Sequence, residues 1–132
     1  MLKVTQGKIA EYRFVSEFMK REYEVFLPTT EGTTTDLLVC KDNVFNRIQI
    51  KSTLTANGNK MLVKCRSSNT RGKRTYTLDD FDFLGVHDLV NDRGYLLPIK
   101  EVAGIDYITL RTSPPKNGQI KDVRYASEFI FF

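Results

Sequence analysis

Four side chains have the types and spacing needed to work on a phosphodiester. Asp36 opens the continuous apolar run Leu37, Leu38, Val39, Cys40, and after the turn-like Lys41, Asp42, Asn43 the return segment carries Gln49 and Lys51 two residues apart. Side chains two apart on a strand share a face, so Gln49 and Lys51 point one way and Ile48 and Ile50 the other. An acid heading a strand, a hairpin, then an oxygen donor and a lysine on the neighbouring strand is what a metal-dependent phosphodiesterase requires. Mg²⁺ takes oxygen ligands and keeps several waters, so Asp36, the Gln49 amide and the Ile50 carbonyl suffice as the protein's share. Such an ion lowers the pKa of a bound water and offsets the charge growing in the transition state. Lys51 would orient that water or steady the anion.

The fourth residue, Glu11, belongs to a helix expected from residue 8 to about residue 22. Ala10, Phe14, Val15, Phe18 and Met19 recur at helical spacing as one stripe, with Arg13, Ser16, Glu17, Lys20 and Arg21 on the other side. Glu11 stands at the border of the apolar stripe. An unpaired buried carboxylate is costly, so a group there is neutralised, paired or metal-bound; a first-turn acid complementing the helix dipole is the alternative.

These segments, GKIAEYRFVSEF with Glu11, TTDLLVC with Asp36 and RIQIKST with Gln49 and Lys51, resemble the PD-(D/E)XK nuclease superfamily over residues 7–53. Thr35 stands where that motif has its proline, and Gln49 where an Asp or Glu is expected, which lowers the negative charge of the site. The resemblance implies a restriction-endonuclease-like α/β core, a mixed β-sheet flanked by helices. It implies catalytic roles for Glu11, Asp36, Gln49 and Lys51, and metal ligation by Glu11, Asp36, Gln49 and Ile50. The glutamine variant, the small size and a basic loop are most similar to the bacterial group I intron homing endonucleases of this fold. That branch implies sequence-specific cleavage of double-stranded DNA, Mg²⁺ dependence with Ca²⁺ as a non-turnover substitute, and a homotetramer. Holliday-junction resolvases share the helix acid and the size, and a non-catalytic DNA-binding accessory protein is the third reading.

Charge is segregated along the chain. Residues 43–78 contain no Asp or Glu, yet hold eight of the 20 Lys and Arg: Arg47, Lys51, Lys60, Lys64, Arg66, Arg71, Lys73 and Arg74. Cations that neutralise phosphates release condensed counterions, so a one-sided tract suggests a face for a polyanion. Lys60, Lys64, Arg66, Arg71, Lys73 and Arg74 are the expected DNA contacts, with Asn57, Asn59, Ser67 and Asn69 as further hydrogen-bonding groups. Residues 60–66 read as a third sheet strand that puts Lys64 and Arg66 on one face, and the polar stretch from Ser67 to Thr77 as an exposed loop.

The 132 residues are expected to form one domain, with 41% hydrophobic and 27% charged residues excluding a disordered or collagenous chain. The absence of an apolar run of membrane-spanning length and of a signal-like N-terminus favours the cytoplasm. Cys40 and Cys65 lack metal-site spacing and read as small core residues. His87, the only histidine, is assigned to a strand, leaving little material for a His-based triad. A hairpin is expected from residues 83–99, a short strand at 107–111, a break at 114–118, and a docked or oligomerising helix at 123–132. Cutting both strands of a duplex with one set of ligands per chain requires at least a dimer.

Overall fold

The computed structural model describes residues 1–56, 59–69, 72–119 and 123–132. The chain runs through α1 (Lys3–Lys20), β1 (Glu24–Phe26), β2 (Leu37–Lys41), β3 (Val44–Thr53), β4 (Thr55–Ala56), β5 (Lys60–Lys64), β6 (Arg66–Asn69) and β7 (Gly72–Thr75). It continues through β8 (Phe83–Asp88), β9 (Arg93–Pro98), a 3-10 turn at Ile99–Glu101, β10 (Tyr107–Arg111), β11 (Arg124–Tyr125) and a second 3-10 turn at Ala126–Phe129.

Helix α1 starts earlier than the apolar periodicity predicts and stops before residue 22. Glu22 adopts φ 64°, and the bonds from Glu22 N–H to Met19 O and Tyr23 N–H to Phe18 O close a left-handed cap. A glutamate in that position gives no glycine-like stop signal. The buried face also differs from the expected stripe. Met19 is exposed, whereas Glu17 is buried among three cations, Arg13, Lys20 and Arg21.

The hairpin joining β2 to β3 turns on Asp42 (φ 52°) and Asn43 (φ 63°), the two-residue turn whose twist matches that of paired strands. The five-stranded sheet has the order β1-β2-β3-β8-β9. Only β3 and β8 run parallel within it, so the sheet is mixed, in an α/β arrangement. One face carries Leu37, Val39, Ile48 and Ile50 against Ala10, Phe14 and Phe18 of α1. Gly85 lets the helix come close, since a Cβ there would lie 2.7 Å from Ile50 Cδ1 and 3.1 Å from Phe14.

The opposite face is covered by strands. Leu84, Val86 and Leu97 pack with Met61, Val63, Ile108 and Leu110, which belong to a second, four-stranded sheet of order β11-β10-β5-β4. Residues 60–66 are therefore not a third strand of the first sheet. β5 ends at Lys64 and Arg66 begins β6, so Lys64 and Arg66 sit in different sheets. The expected loop after Arg66 is instead a hairpin of β6 and β7, and Tyr76 beyond it is 1% exposed.

The C-terminal segment is not an α-helix. Ile130 bridges to Tyr95, and the Phe131 and Phe132 rings pack on Phe14, with Phe131 also against Phe18. The terminus is docked on its own chain. Cys40 and Cys65 are free and buried, and burial pushes the Cys65 thiol up to about 11. Among the described residues no helix is long and apolar enough to cross a membrane.

Candidate active site

β2 and β3 pair from Leu37 opposite Ile48 onward, and Asp36 sits where the two strands part. Its backbone N–H still donates to Ile48 O at 2.8 Å, but its side chain takes over from there. Asp36 Oδ2 accepts the Ile50 N–H at 2.8 Å, satisfying a donor that the departing strand would otherwise leave unpaired. Because N–H and C=O of one strand residue point to the same neighbour, the Ile50 carbonyl faces this gap as well.

Glu11 and Asp36 line the same cleft of 410 Å³, between α1 and the chain from Leu27 to Asp36. Glu11 lies at the border of the helix face, 26% exposed at its side chain and paired with Lys8 at 3.0 Å. Burial, aided by the negative charge of Glu11, raises the Asp36 carboxyl to about 6, although the Ile50 N–H and the Lys51 charge oppose the shift. A cation in the cleft would reverse that shift.

Gln49 and Lys51 do point to the face opposite Ile48 and Ile50. They line a second cavity of 220 Å³ with Ser67, Arg74 and Tyr76. Gly32 and Thr33 line both spaces, so the four predicted residues occupy two lobes that share the Gly32–Thr33 wall. Gln49 is only 8% exposed. Lys51 Nζ lies 5.6 Å from the centre of the Tyr76 ring and 3.5 Å from Arg66 O. Burial, then the positive charge of Lys64, lowers the Lys51 pKa.

Tyr76 is the residue that sequence reasoning missed. Its hydroxyl is buried with no hydrogen-bond partner among the described residues. Burial and the charge of Asp36 raise its pKa, so it stays a donor. The available signal was the alternation Thr75, Tyr76, Thr77, masked by the polar run before it.

A family model described as PD-(D/E)XK endonuclease matches residues 1–132. The chain belongs to that family. Its fold matches the structure of a bacterial homing endonuclease, I-Ssp6803I, with a TM-score of 0.75 over 96% of this chain and 86% of that one, at 18% identity. Protein 5.3 of Escherichia phage T7 is 32% identical over 80 residues, 61% of this chain and 68% of that protein.

PD-(D/E)XK endonucleases typically use divalent metals. Among the described residues no three His, Cys, Asp or Glu side chains gather closely enough to hold one. The donors here are instead two carboxylates facing one cleft, a strand carbonyl at its edge and, in the adjoining lobe, the Gln49 amide. That set fits a hard, oxygen-seeking cation that retains much of its water, and the raised Asp36 carboxyl fits a site completed by positive charge.

The basic tract of this PD-(D/E)XK endonuclease is less one-sided in space than along the chain. Arg47 pairs with Asp82, Arg74 forms a two-pronged pair with Asp80 at 2.7 and 3.0 Å, and Arg66 bonds Tyr107 with Asp106 nearby. Each acid comes from outside residues 43–78. Lys60 and Lys64 lie at opposite ends of β5. Asn59 lines a groove beside Lys60, and Ser67 lines the Lys51 cavity. Arg71 and Asn57 lie outside the described residues, as do the side chains of Asn69 and Lys73. His87 is in β8, 1% exposed, with Nε2 2.8 Å from Asp92.

Proposed function

We propose that this nuclease is a Mg²⁺-dependent endonuclease that hydrolyses phosphodiester bonds in double-stranded DNA, with sequence specificity of the homing type. The observation that carries the reading is the Asp36 carboxylate held over the Ile50 amide at the opening of the β2–β3 pair, in one cleft with Glu11 and one strand residue from Gln49 and Lys51. Glu11, Asp36, Gln49 and the Ile50 carbonyl would hold the ion. When bound, Mg²⁺ supplies Lewis-acid polarisation and eases ionisation of water.

The remaining chemistry belongs to the chain. Asp36 offers one oxygen to the reaction while the Ile50 N–H fixes the other, so the carboxylate cannot swing away. Lys51, desolvated and eased toward releasing its proton, orients the attacking water or steadies a phosphate oxygen. Tyr76 keeps its proton and offers a donor in the same lobe. Gln49 contributes an oxygen without a charge, leaving fewer negative groups to repel the phosphate.

The structural likeness to a bacterial homing endonuclease supports the homing reading over junction resolution. Cutting two strands with one site per chain calls for two or more copies, and a homotetramer is the assembly proposed by resemblance. Cytoplasmic DNA is the expected substrate pool. The test is to incubate supercoiled plasmid with wild type and with Lys51→Ala in Mg²⁺, in Ca²⁺ and in EDTA. Nicking by wild type in Mg²⁺ alone, lost in the variant, is the expected result; binding without nicking in Mg²⁺ would overturn it. An intron-free target and a four-way junction, offered together, separate homing from resolution.

A further inference from the structure

Outside the site just described, the surface at the far end of β5 holds Lys60, Arg111 and Lys116, none of which pairs with an acid among the described residues. Lys60 and Arg111 are directly opposite each other in the antiparallel β5–β10 pair. Like charges in that position repel, so the arrangement costs stability unless an anion lies against it. Arg111 spends its donors on the carbonyls of Ser113 and Pro114, which leaves its charge uncompensated, and among the described residues neither Lys60 nor Lys116 has an ion pair. This contrasts with Arg47, Arg66 and Arg74, each answered by an aspartate. Two adjoining hollows of 350 and 490 Å³ share Lys60, Arg111, Pro115 and Asn117, and Asn59 and Lys116 line the larger. Arg124, which lines the smaller hollow, is taken by Glu101 at 3.5 Å.

β5 ties this surface to the active site. Lys64, at its other end, is close enough to Lys51 to depress the proton affinity of that amine. Four residue steps of strand cover roughly 13 Å, about four base pairs of duplex counted along one strand. A duplex whose scissile phosphate sits near Lys51 would meet the groove within half a helical turn.

We propose that the groove of Lys60, Arg111, Lys116, Asn59 and Asn117 is a second DNA-contact surface, gripping the phosphate backbone that flanks the cleavage site. The proposal rests on the DNA-cleaving reading above. Arg111, Lys116 and Asn117 lie outside the acid-free tract, so charge patterning along the chain does not single them out. Backbone contacts of this kind set register and affinity, and the two amides have donors and acceptors suited to a base edge or a sugar.

The test compares wild type with the double variant Lys60→Glu, Lys116→Glu, both exposed positions, using fluorescence anisotropy in Ca²⁺ on a mixed-sequence duplex of about 30 base pairs, because backbone binding is sequence-independent. Each lost phosphate contact removes about 0.9 from the slope of log affinity against log salt, so the slope should shrink by about 2 and the affinity fall at least tenfold. The melting temperature should not fall, since Lys60→Glu replaces the repulsion opposite Arg111 with attraction, and Lys60→Arg, Lys116→Arg should retain wild-type binding. An unchanged slope and affinity in the glutamate variant, with wild type binding normally, would overturn the groove and leave the nuclease reading intact. Failure of wild type to bind duplex at all would overturn both.

Discussion

The Asp36 carboxylate is hydrogen-bonded to the Ile50 amide at 2.8 Å, across the point where two strands cease to pair. A side chain thus replaces a ladder bond. The substitution opens the sheet without leaving the Ile50 donor unsatisfied, and it leaves an ionisable oxygen at the mouth of a cleft shared with Glu11. The same local solution that ends the β2–β3 ladder builds the candidate metal site.

Asp36 should destabilise the metal-free protein near neutral pH. Its folded pKa of about 6 lies above its ordinary value of 3.8, so between those values the folded chain holds a proton the unfolded chain has released. Stability is greatest below that window and falls as pH rises through it, by at most about 3 kcal/mol. In EDTA, urea unfolding of wild type should show this decline. Asp36→Asn should flatten it and be the more stable protein at pH 7, while losing nicking. A wild-type curve that climbs relative to the variant over the same window would contradict the assignment.

Lys51→Ala should lower nicking by at least about a hundredfold, the scale of losing one preorganised charge at a developing anion. Duplex affinity should change only a few-fold, because the amine lies in a cavity and not on the exposed groove. Single-turnover cleavage beside an anisotropy titration separates the two effects; parallel losses in both would make Lys51 a binding residue.

Tyr76→Phe removes a hydroxyl that is buried and has no partner among the described residues while keeping the ring against Phe81 and near Lys51. Unfolding free energy should stay level or rise by about 1 kcal/mol, since no hydrogen bond is lost on folding. Nicking should drop about tenfold, the value of one donor to a charged oxygen. Full activity in the phenylalanine variant would restrict Tyr76 to packing.

Gly94→Ala should destabilise the fold by about 2–3 kcal/mol. A Cβ there would collide with the Phe132 ring, forcing the terminal aromatics off Phe14 and away from the bonds Phe131 N–H and Phe132 N–H make to Gly94 O. Differential scanning calorimetry should register the change; adding Phe132→Ala should recover part of it, as the clash partner is gone.

Residue types and spacing alone determined the helix carrying Glu11, the hairpin that turns at Asp42 and Asn43, the shared face of Gln49 and Lys51, and the family motif. All of these are local: periods of 3.6 and 2, a turn chemistry and an order of residues. Tertiary structure decided what depends on partners distant in the chain. Residues 60–64 alternate as any half-buried strand does, and alternation does not say which sheet a strand joins. Tyr76 follows a polar run, yet it is buried because the second sheet closes over it. The acid-free tract gathers counter-charges from Asp80, Asp82 and Asp106, while Lys60 meets Arg111 across a strand pair with no acid between them among the described residues. Glu17 is buried because three cations surround it, and the terminal phenylalanines are core because α1 and Gly94 make room. Periodicity is written along one segment; pairing, charge compensation and close approach are properties of two segments brought together.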